Sequence, residues 1–302
     1  MDFSCFLNEL NTLCPEMKAS LYEPMAAHTS FKIGGPAALM TFPQNAKQLS
    51  ALMMLAQEKH VPYRILGAGT NVLAPDEGMQ ELVICLKDCM DGIELLEGNR
   101  IRVAAGVTMS RAAVFAANNG LTGMEFAHGI PGTVGGGVYM NAGAYGGEIG
   151  SICQSVDVVT AHGELKTLTN AEMGFSYRHS ILEEEFAVVV SVILQLQPGA
   201  AEDIRGKMQE LMDKRKTSQP LDKPSAGSAF KRPVGGYAAA LIDQAGLKGF
   251  RIGDAAVSQK HAGFVVNLGN ATAADVKALL KQVADRVQEH SGITIEPEIR
   301  IW

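Results

Sequence analysis

The sequence has little cysteine, few aromatic residues and no cluster of positive charge. Its 302 residues contain five cysteines, at positions 5, 14, 85, 89 and 153, and aromatic residues make up 6%. An odd number of scattered cysteines, without the spacing of zinc ligands, predicts free thiols in the core rather than disulfides or a metal site. With no run of Lys or Arg and a formal net charge of -6, a nucleic-acid partner is excluded and a small-molecule partner is expected.

Long apolar runs are also missing. No stretch of about 18 apolar residues occurs, and residues 1–17 lack both the basic part and the apolar part of an export signal. We therefore expect a cytoplasmic protein without membrane insertion. The apolar fraction of 47% over 302 residues is nevertheless enough to fill the cores of two or three cooperating domains.

Glycine is abundant and is concentrated between Met124 and Gly150. This glycine-rich segment contains nine glycines and no Lys or Arg. Glycine lets backbone N–H groups approach a ligand closely and adopt conformations with positive φ, at a cost in conformational entropy. The segment therefore predicts extended backbone contact with a flat, anionic cofactor. A set of turns with a close helix crossing is the alternative.

A second glycine turn, GAGTNVL at 67–73, follows a strand predicted at 63–66, and a helix predicted at 46–59 precedes that strand. A dinucleotide fingerprint needs glycine where Val72 stands, and a Walker loop needs Lys followed by Ser or Thr, so both designs are excluded. The loop still offers backbone N–H groups, the Thr70 hydroxyl and the Asn71 amide, which are enough to hold a pyrophosphate. A plain turn is the alternative.

The remaining chain alternates between strand and helix patterns. We expect hairpins within 93–104 and 156–168, a strand at 188–196, and a helix capped by Ser110. A helix at 201–216 leads into a proline-containing loop at 217–233, near a domain boundary. Beyond it the patterns predict a helix at 237–245, a strand at 264–267, a helix at 273–290 and a closing strand at 293–302.

Three polar residues are candidates for chemistry. Arg178, in a Tyr-Arg-His-Ser string, is either a surface residue or a cation that stabilises a developing enolate or carboxylate. Ser228 lies among small residues without a nucleophile elbow, so it is either a loop residue or a proton donor, not a hydrolase nucleophile. Glu298 interrupts a run of alternating isoleucines and is either a solvated edge residue or an acid in a cleft.

Other charged and histidine side chains carry weaker signals. Lys231 and Arg232 are either exposed loop residues or a site for phosphate or carboxylate. His128, His179 and His261 have no second ligand three or four residues away, so we expect no metal.

Six strings follow one another along the chain: HTSFKIGGPA, LGAGTNVL, EFAHGIPGTVGGGVYMNAGAYGGEI, SYRHS, PSAGSAFKRP and PEIRIW. Taken together and in this order, they resemble the UDP-N-acetylenolpyruvoylglucosamine reductase (MurB) family of flavoenzymes. Longer members carry an inserted segment that closes a tyrosine over the substrate, and this chain resembles the shorter class without it. His28 and Arg232 both stand where asparagine is common in the family.

The resemblance implies an α+β fold, with a two-subdomain FAD-binding fold of the vanillyl-alcohol oxidase (PCMH) type and a separate α+β substrate-binding domain. The implied division is 1–90 with the returning strand 293–302, then 91–205, then 206–292. FAD would be bound noncovalently. The residues implied to contact it are Gly67, Ala68, Gly69, Thr70, Asn71, Gly129, Ile130, Gly132, Thr133, Val134, Asn141, Ala142 and Tyr145.

The resemblance also implies the reaction. In this family NADPH reduces FAD, and the reduced flavin then transfers hydride to the terminal carbon of a UDP-sugar enolpyruvyl ether, in peptidoglycan precursor synthesis. Arg178 and Glu298 match the residues that stabilise the enolate, and Ser228 matches the proton donor. The residues implied to contact substrate or NADPH are Tyr177, Arg215, Lys231, Gln259 and His261. A substrate-binding lysine of some relatives falls near Lys216 or Ser218.

Two other functions remain open from the sequence. One is a flavin oxidase of the same fold group, which uses oxygen and an alcohol donor. The other is a flavin-binding or sugar-nucleotide-binding protein without catalysis. The strings around Ser228 and Glu298 favour the reductase over both alternatives.

Overall fold

The computed structural model describes residues 2–302, which fold into two compact units. Unit 1 comprises the residues up to Leu21, Ala38–Ala68 and Glu81–Asp213; unit 2 comprises Tyr22–Ala37, Gly69–Gln80 and Lys214–Trp302. The units interleave along the chain, so the glycine turn at 67–73 starts in unit 1 and continues in unit 2. The division into 1–90, 91–205 and 206–292 stays a prediction.

Helices and strands are both well represented, as the α+β prediction requires. The helices are α1 (Phe3–Leu13), α2 (Ala46–Glu58), α3 (Met109–Asn118), α4 (Val134–Tyr139), α5 (Ala201–Ser218), α6 (Ala238–Gln244) and α7 (Ala273–Ser291). The strands are β1 (Lys18–Pro24), β2 (Pro36–Phe42), β3 (Tyr63–Leu66), β4 (Val72–Leu73), β5 (Met79–Cys85), β6 (Ile93–Leu96), β7 (Arg100–Ala104), β8 (Leu121–Thr122), β9 (Gly143–Ala144), β10 (Gly147–Glu148), β11 (Cys153–Thr160), β12 (Leu165–Thr169), β13 (Ala187–Gln195), β14 (Gln197–Pro198), β15 (Ser225–Ser228), β16 (Arg251–Ile252), β17 (Ala255–Val257), β18 (Phe264–Asn267) and β19 (Arg300–Ile301).

Unit 1 is built on two sheets. The first, most of whose residues belong to unit 1, has the order β1-β2-β5-β3, with β3 and β5 parallel. The second has the order β12-β11-β13-β7-β6 and is antiparallel throughout. The apolar stripe of α2, comprising Leu49, Leu52, Met53 and Ala56, is buried in the core of this unit. The helical period of apolar residues at 46–59 therefore predicted α2 correctly.

One helix start differs from the prediction. The side chain of Thr108, not Ser110, caps α3, because Thr108 has extended backbone angles and its Oγ1 accepts from the N–H of Arg111 at 3.2 Å. Ser110 already lies inside the first turn, where its side chain instead contacts His128 Nδ1 at 3.2 Å. Both residues are good caps by type, so the sequence alone does not separate them.

Unit 2 contains a sheet of order β15-β18-β17-β16 and the helices α6 and α7. Helix α7 begins with a capping box between Thr272 and Asp275 and ends at Gly292, whose φ of 72° is left-handed. In the segment 69–80, the Asp76 carboxylate accepts from the first backbone N–H groups of α7, including that of Ala273 at 2.7 Å. The apolar stripe of α7 is buried in the unit 2 core: Val276, Leu279, Leu280, Val283 and Val287.

Two predictions about unit 2 are wrong in detail. The closing strand at 293–302 is not continuous: residues 300 and 301 pair in parallel with β4, and Pro297 makes only an isolated bridge to Phe230. Proline has no N–H to donate, which interrupts the ladder. The loop at 217–233 was expected to lack regular structure, yet it contains β15. That strand pairs with β18 through a register shift between Ser225 and Ser228, which accommodates Gly227 at φ 75°.

The cysteine prediction holds in part. All five thiols are free, and Cys85 and Cys153 are buried. Cys5 is exposed, because α1 buries Phe3, Phe6 and Leu10 on one stripe that does not include it. Placement of every cysteine in the core is therefore wrong.

Candidate functional site

The two glycine stretches predicted to hold a cofactor meet in unit 1. A Cβ built on Gly67 would lie 2.5 Å from Oγ1 of Thr133, which is too close for any side chain. Gly67 follows β3, and Thr133 is the N-cap of α4. The Thr133 side chain can lie this close to the backbone of residue 67 only because that residue is glycine. The structure thus brings together stretches that are far apart in the sequence.

The first backbone N–H groups of α4 are hydrogen-bonded within unit 1. The N–H groups of Val134 and Gly135 donate to the carbonyls of Val107 and Ala105, at 2.7 and 2.9 Å, and Thr133 Oγ1 accepts from Gly136. The N–H groups of this first turn are therefore used inside the protein. Residues 129–132, just before the helix, are partly or fully exposed.

The predicted cofactor contacts differ in exposure. Buried or almost buried are Gly69, Thr133, Val134 and Asn141, and the others are partly or fully exposed: Gly67, Ala68, Thr70, Asn71, Gly129, Ile130, Gly132, Ala142 and Tyr145. The buried members support the backbone around them, and the exposed members offer surface to a ligand. Direct contact of each residue with a cofactor stays a prediction.

Arg178 lies at the tip of a tight turn in unit 1. The N–H of Ser176 donates to the carbonyl of His179, and the N–H of His179 donates to that of Ser176, both at 3.2 Å. Arg178 has a φ of 57°, a left-handed angle that costs a residue with a side chain on the order of 1 kcal/mol. Its guanidinium lies 5.3 Å from the ring centre of Tyr177 and donates to the carbonyl of Gly143 at 3.4 Å. The turn thus holds a half-exposed cation against the glycine-rich segment.

Ser228 is the last residue of β15 in unit 2, and its side chain is exposed. The next residue, Ala229, pairs with the C-terminal segment, since its carbonyl accepts from the N–H of Glu298 at 2.9 Å. The N–H of Lys231 donates to the carbonyl of Glu296 at 2.8 Å, so the pairing continues on the other side of Pro297. This ladder fixes the backbone of Ser228 relative to that of Glu298.

Asn71 connects the same C-terminal segment to the glycine turn. Its side-chain amide donates to the carbonyl of Glu298 at 3.1 Å, and its own carbonyl accepts from the N–H of Arg300 at 2.9 Å. Within unit 2, Asn71 of the predicted pyrophosphate loop and the backbone next to the predicted proton donor and acid therefore belong to one hydrogen-bonded arrangement.

The predicted substrate contacts are spread over unit 2, apart from Tyr177. Lys231 is exposed and forms an ion pair with Glu296 at 3.5 Å, while Arg215 is 9% exposed near the end of α5. His261 is half-buried, and burial lowers the pKa of its imidazole. Its Nδ1 accepts from the N–H of Gly263 at 3.1 Å. Gln259 is exposed, and its side-chain amide packs directly against Gly249.

Sequence reasoning missed a serine that supports this arrangement. Ser30 Oγ donates to the carbonyl of Ser225 at 2.6 Å and lies 3.3 Å from the carbonyl of Gly69, which links the start of β15 to the glycine turn. A small hydroxyl residue just before the glycines of HTSFKIGG was the available signal. Its partners, far away in the sequence, could not be read from the string.

No helix within residues 2–302 is both long and apolar enough to cross a bilayer. The same range contains no group of three His, Cys, Asp or Glu side chains placed to hold a metal ion.

The chain matches two family models. Residues 37–169 match the FAD binding domain, and residues 219–302 match the C-terminal domain of UDP-N-acetylenolpyruvoylglucosamine reductase. The chain is 45% identical to the UDP-N-acetylenolpyruvoylglucosamine reductase of Caldanaerobacter subterraneus, over 98% of this chain and 97% of that one. This chain belongs to the UDP-N-acetylenolpyruvoylglucosamine reductase family. It is also 45% identical to the Streptococcus pneumoniae member, over 92% of both chains.

A solved structure supports the same conclusion about the fold. The chain is similar to the MurB reductase of Thermus caldophilus, with a TM-score of 0.80 and 36% identity over 95% of this chain and 99% of that one. The predicted family and the α+β fold with an FAD-binding part are confirmed. So is the prediction of an oxidoreductase that uses FAD and NADPH.

Proposed function

We propose that this chain reduces the enolpyruvyl group of UDP-N-acetylglucosamine enolpyruvate to the lactyl ether of UDP-N-acetylmuramate, using Arg178, Ser228 and Glu298. Membership of the reductase family identifies the reaction. The structural observation that supports these residues is the hydrogen bond from the Glu298 N–H to the Ala229 carbonyl at 2.9 Å. It holds the predicted acid beside the strand that ends in the predicted proton donor.

The predicted cofactor contacts in unit 1 have the chemistry that binding of FAD requires. Gly67 and Thr133 leave no room for another side chain between them, and no Lys or Arg is among the predicted contacts. A cradle of backbone N–H groups suits an anionic pyrophosphate. We expect Gly67, Ala68 and residues 129–132 of unit 1 to hold the cofactor, together with residues 69–71. When bound, FAD supplies hydride transfer from NADPH to the terminal carbon of the enolpyruvyl group.

Arg178 stabilises the negative charge that develops on the substrate. Addition of hydride to the terminal carbon leaves an electron pair on the neighbouring carbon, which is delocalised into the carboxylate. The planar guanidinium can donate two parallel hydrogen bonds to such a group. Because the turn fixes Arg178 in advance, little reorganisation is needed when the charge appears. Glu298 is the second residue assigned to this intermediate.

Ser228 completes the reduction by donating its proton to the carbon that bears the electron pair. One hydride and one proton then saturate the double bond, and solvent returns a proton to the serine. Exposure of Ser228 at the end of β15 allows a substrate to reach the hydroxyl. An alcohol is a poor acid, so the transfer depends on close approach and on the high basicity of the carbanion-like carbon.

The remaining assignments concern binding and location. Tyr177, Arg215, Lys231, Gln259 and His261 are assigned to substrate or NADPH. We place the enzyme in the cytoplasm, without a nucleic-acid partner or membrane insertion, because its assigned partners are the small molecules NADPH and a UDP-sugar, and its formal net charge is -6.

The test replaces Ser228 with alanine and measures the two half-reactions separately, by anaerobic stopped-flow absorbance of the flavin. Ser228→Ala is expected to keep the rate of flavin reduction by NADPH. It is expected to slow flavin reoxidation by the enolpyruvyl substrate about 100-fold or more, as loss of a general acid does. Ser291→Ala, which removes a serine hydroxyl from the end of α7 in the same unit, is the matched control. Undiminished reoxidation in Ser228→Ala would show that Ser228 is not the proton donor.

A further inference from the structure

Asn141 links the glycine-rich segment to the turn that carries Arg178. Its side chain is almost fully buried, with 1% of the residue exposed. Nδ2 donates to the carbonyl of Ser176 at 2.9 Å, and Oδ1 accepts from the N–H of Gly150 at 2.8 Å. Both polar atoms of the amide are therefore engaged by the protein, which leaves the side chain little surface to offer a cofactor.

The backbone of Asn141 also departs from ordinary geometry. Its φ is 42°, in the left-handed region that asparagine adopts more readily than most residues with a side chain. The N–H of Asn141 donates to the carbonyl of Val138 at 3.2 Å, at the end of α4. The residue is thus held at both its backbone and its side chain.

The Arg178 turn is tied to the same stretch at its other end. Ser180 is fully buried, and its Oγ donates to the carbonyl of Tyr139 at 2.8 Å. Asn141 and Ser180 therefore secure the two ends of the turn 176–180, and Arg178 lies between them at the tip. A shift of either anchor moves the guanidinium.

We propose that Asn141 is a positioning residue that sets where the Arg178 guanidinium meets the enolate and carboxylate of the substrate. The inference rests on the proposed function of Arg178. The position requires an amide, since one atom must donate to Ser176 while the other accepts from Gly150. An ionised aspartate has the same shape but only accepts, so it repels the Ser176 carbonyl and releases that end of the turn. Small displacements of a catalytic group have large effects on rate.

Asn141→Asp tests the link, and Asn170→Asp is its matched control. Asn170 donates through Nδ2 to the carbonyls of Gly150 and Cys153, both at 2.8 Å, so it holds the same glycine without touching the turn. Asn141→Asp is expected to slow flavin reoxidation by the enolpyruvyl substrate about tenfold or more, and to slow flavin reduction by NADPH by a clearly smaller factor. Asn170→Asp is expected to leave both rates within about twofold.

A double-mutant cycle distinguishes positioning from a general structural defect. If Asn141 acts through Arg178, then Asn141→Asp in an Arg178→Lys background slows reoxidation by less than about twofold, because the contact that it aligns has already been weakened. Equal slowing in both backgrounds contradicts the proposal. Hydrogen exchange of the amides at 175–180, measured by mass spectrometry on the full chain, should accelerate in Asn141→Asp and not in Asn170→Asp.

Failure of this inference can be distinguished from failure of the proposed function. If Asn141→Asp does not fold, Ser180→Ala removes the second anchor, and the proposal predicts the same selective loss of reoxidation. If Arg178→Lys leaves reoxidation unchanged, the proposed function is wrong about Arg178 and the inference fails with it. If Arg178→Lys slows reoxidation but neither Asn141→Asp nor Ser180→Ala does, the inference alone is overturned.

Discussion

The side-chain amide of Asn71 donates to the backbone carbonyl of Glu298 at 3.1 Å, across 227 positions of sequence. The N–H of Arg300 donates in return to the carbonyl of Asn71 at 2.9 Å. These two bonds attach the C-terminal segment to the glycine turn that follows β3. A residue assigned to cofactor binding therefore also helps to fix the backbone of a residue assigned to catalysis.

Loss of this amide should affect catalysis as well as stability. Asn71→Ala is expected to lower the free energy of unfolding by about 1 kcal/mol and to slow flavin reoxidation by the enolpyruvyl substrate. Asn119→Ala removes a comparable bond, from Nδ2 to the carbonyl of Phe115 at 2.8 Å, and should reduce stability without altering reoxidation. Chemical denaturation and single-turnover absorbance provide the two readouts. Unchanged reoxidation in Asn71→Ala would contradict the coupling.

Stabilisation of the substrate anion should depend on the planar guanidinium of Arg178 as well as on its positive charge. Arg178→Lys keeps the positive charge and removes paired donation, so reoxidation is expected to slow by about 10²-fold or more, the effect of losing a donor to a developing anion. Arg205→Lys makes the same change at an exposed helix position of unit 1, where Arg205 bonds Asn118 at 3.1 Å, and should leave the rate unchanged. If the two variants reoxidise equally fast, Arg178 does not stabilise the anion.

The contact between Gly67 and Thr133 should be required for FAD binding. Gly67→Ala places a methyl group 2.5 Å from Thr133 Oγ1, so the two cofactor stretches must separate, and FAD affinity should fall about tenfold or more. Gly206→Ala adds a methyl group in open space on α5 and should leave the affinity unchanged. Titration of the FAD-free protein, followed by flavin fluorescence, measures both. Equal affinities would remove Gly67 from the cofactor site.

Thiol reactivity should follow burial. Burial raises the pKa of Cys85 to about 11 and that of Cys153 to about 12. At pH 8, iodoacetamide should label exposed Cys5 and leave Cys85 and Cys153 unmodified until the protein unfolds, as peptide mass spectrometry can determine. Labelling of Cys153 as fast as Cys5 would contradict its burial.

The same two thiols predict a loss of stability in alkali. Since their pKa values are higher in the folded protein than in the unfolded chain, the folded state binds protons more tightly. Their contribution to stability is complete below the unfolded pKa of about 8.5 and is lost as the pH rises towards 11 and 12. Urea unfolding at pH 8 and pH 10.5 checks the sign. Between these two pH values, the wild type should lose more free energy of unfolding than Cys153→Ala does. A smaller loss in the wild type than in Cys153→Ala would contradict the prediction.

Local patterns predicted the regular elements well. The bounds of β3 and β18 agree with the prediction, because apolar period and β-branching are encoded within each element. The cap of α3 was misplaced, since Thr108 and Ser110 are both suitable by residue type. Strand β15 was missed because its small residues and Gly227 resemble a loop, and its pairing with β18 is a tertiary contact.

The candidate site could be predicted only as a set of residues. Family strings indicated Arg178, Ser228 and Glu298, but the way each is held depends on partners distant in sequence. The bond from Asn141 to Ser176 spans 35 positions, and that from Asn71 to Glu298 spans 227. Neither residue has a local pattern that indicates which carbonyl it binds. The hydrogen bonds by which these side-chain amides hold distant parts of the chain together are therefore the part of the site that the sequence could not predict.

The measurement closest to the central claim is the visible absorption spectrum of the purified protein during two anaerobic additions. The account predicts a yellow protein whose flavin absorbance is lost on addition of NADPH and returns on addition of UDP-N-acetylglucosamine enolpyruvate, with formation of the lactyl ether. A protein that remains free of flavin after reconstitution would contradict the account. So would a flavin that NADPH reduces but the enolpyruvyl substrate fails to reoxidise.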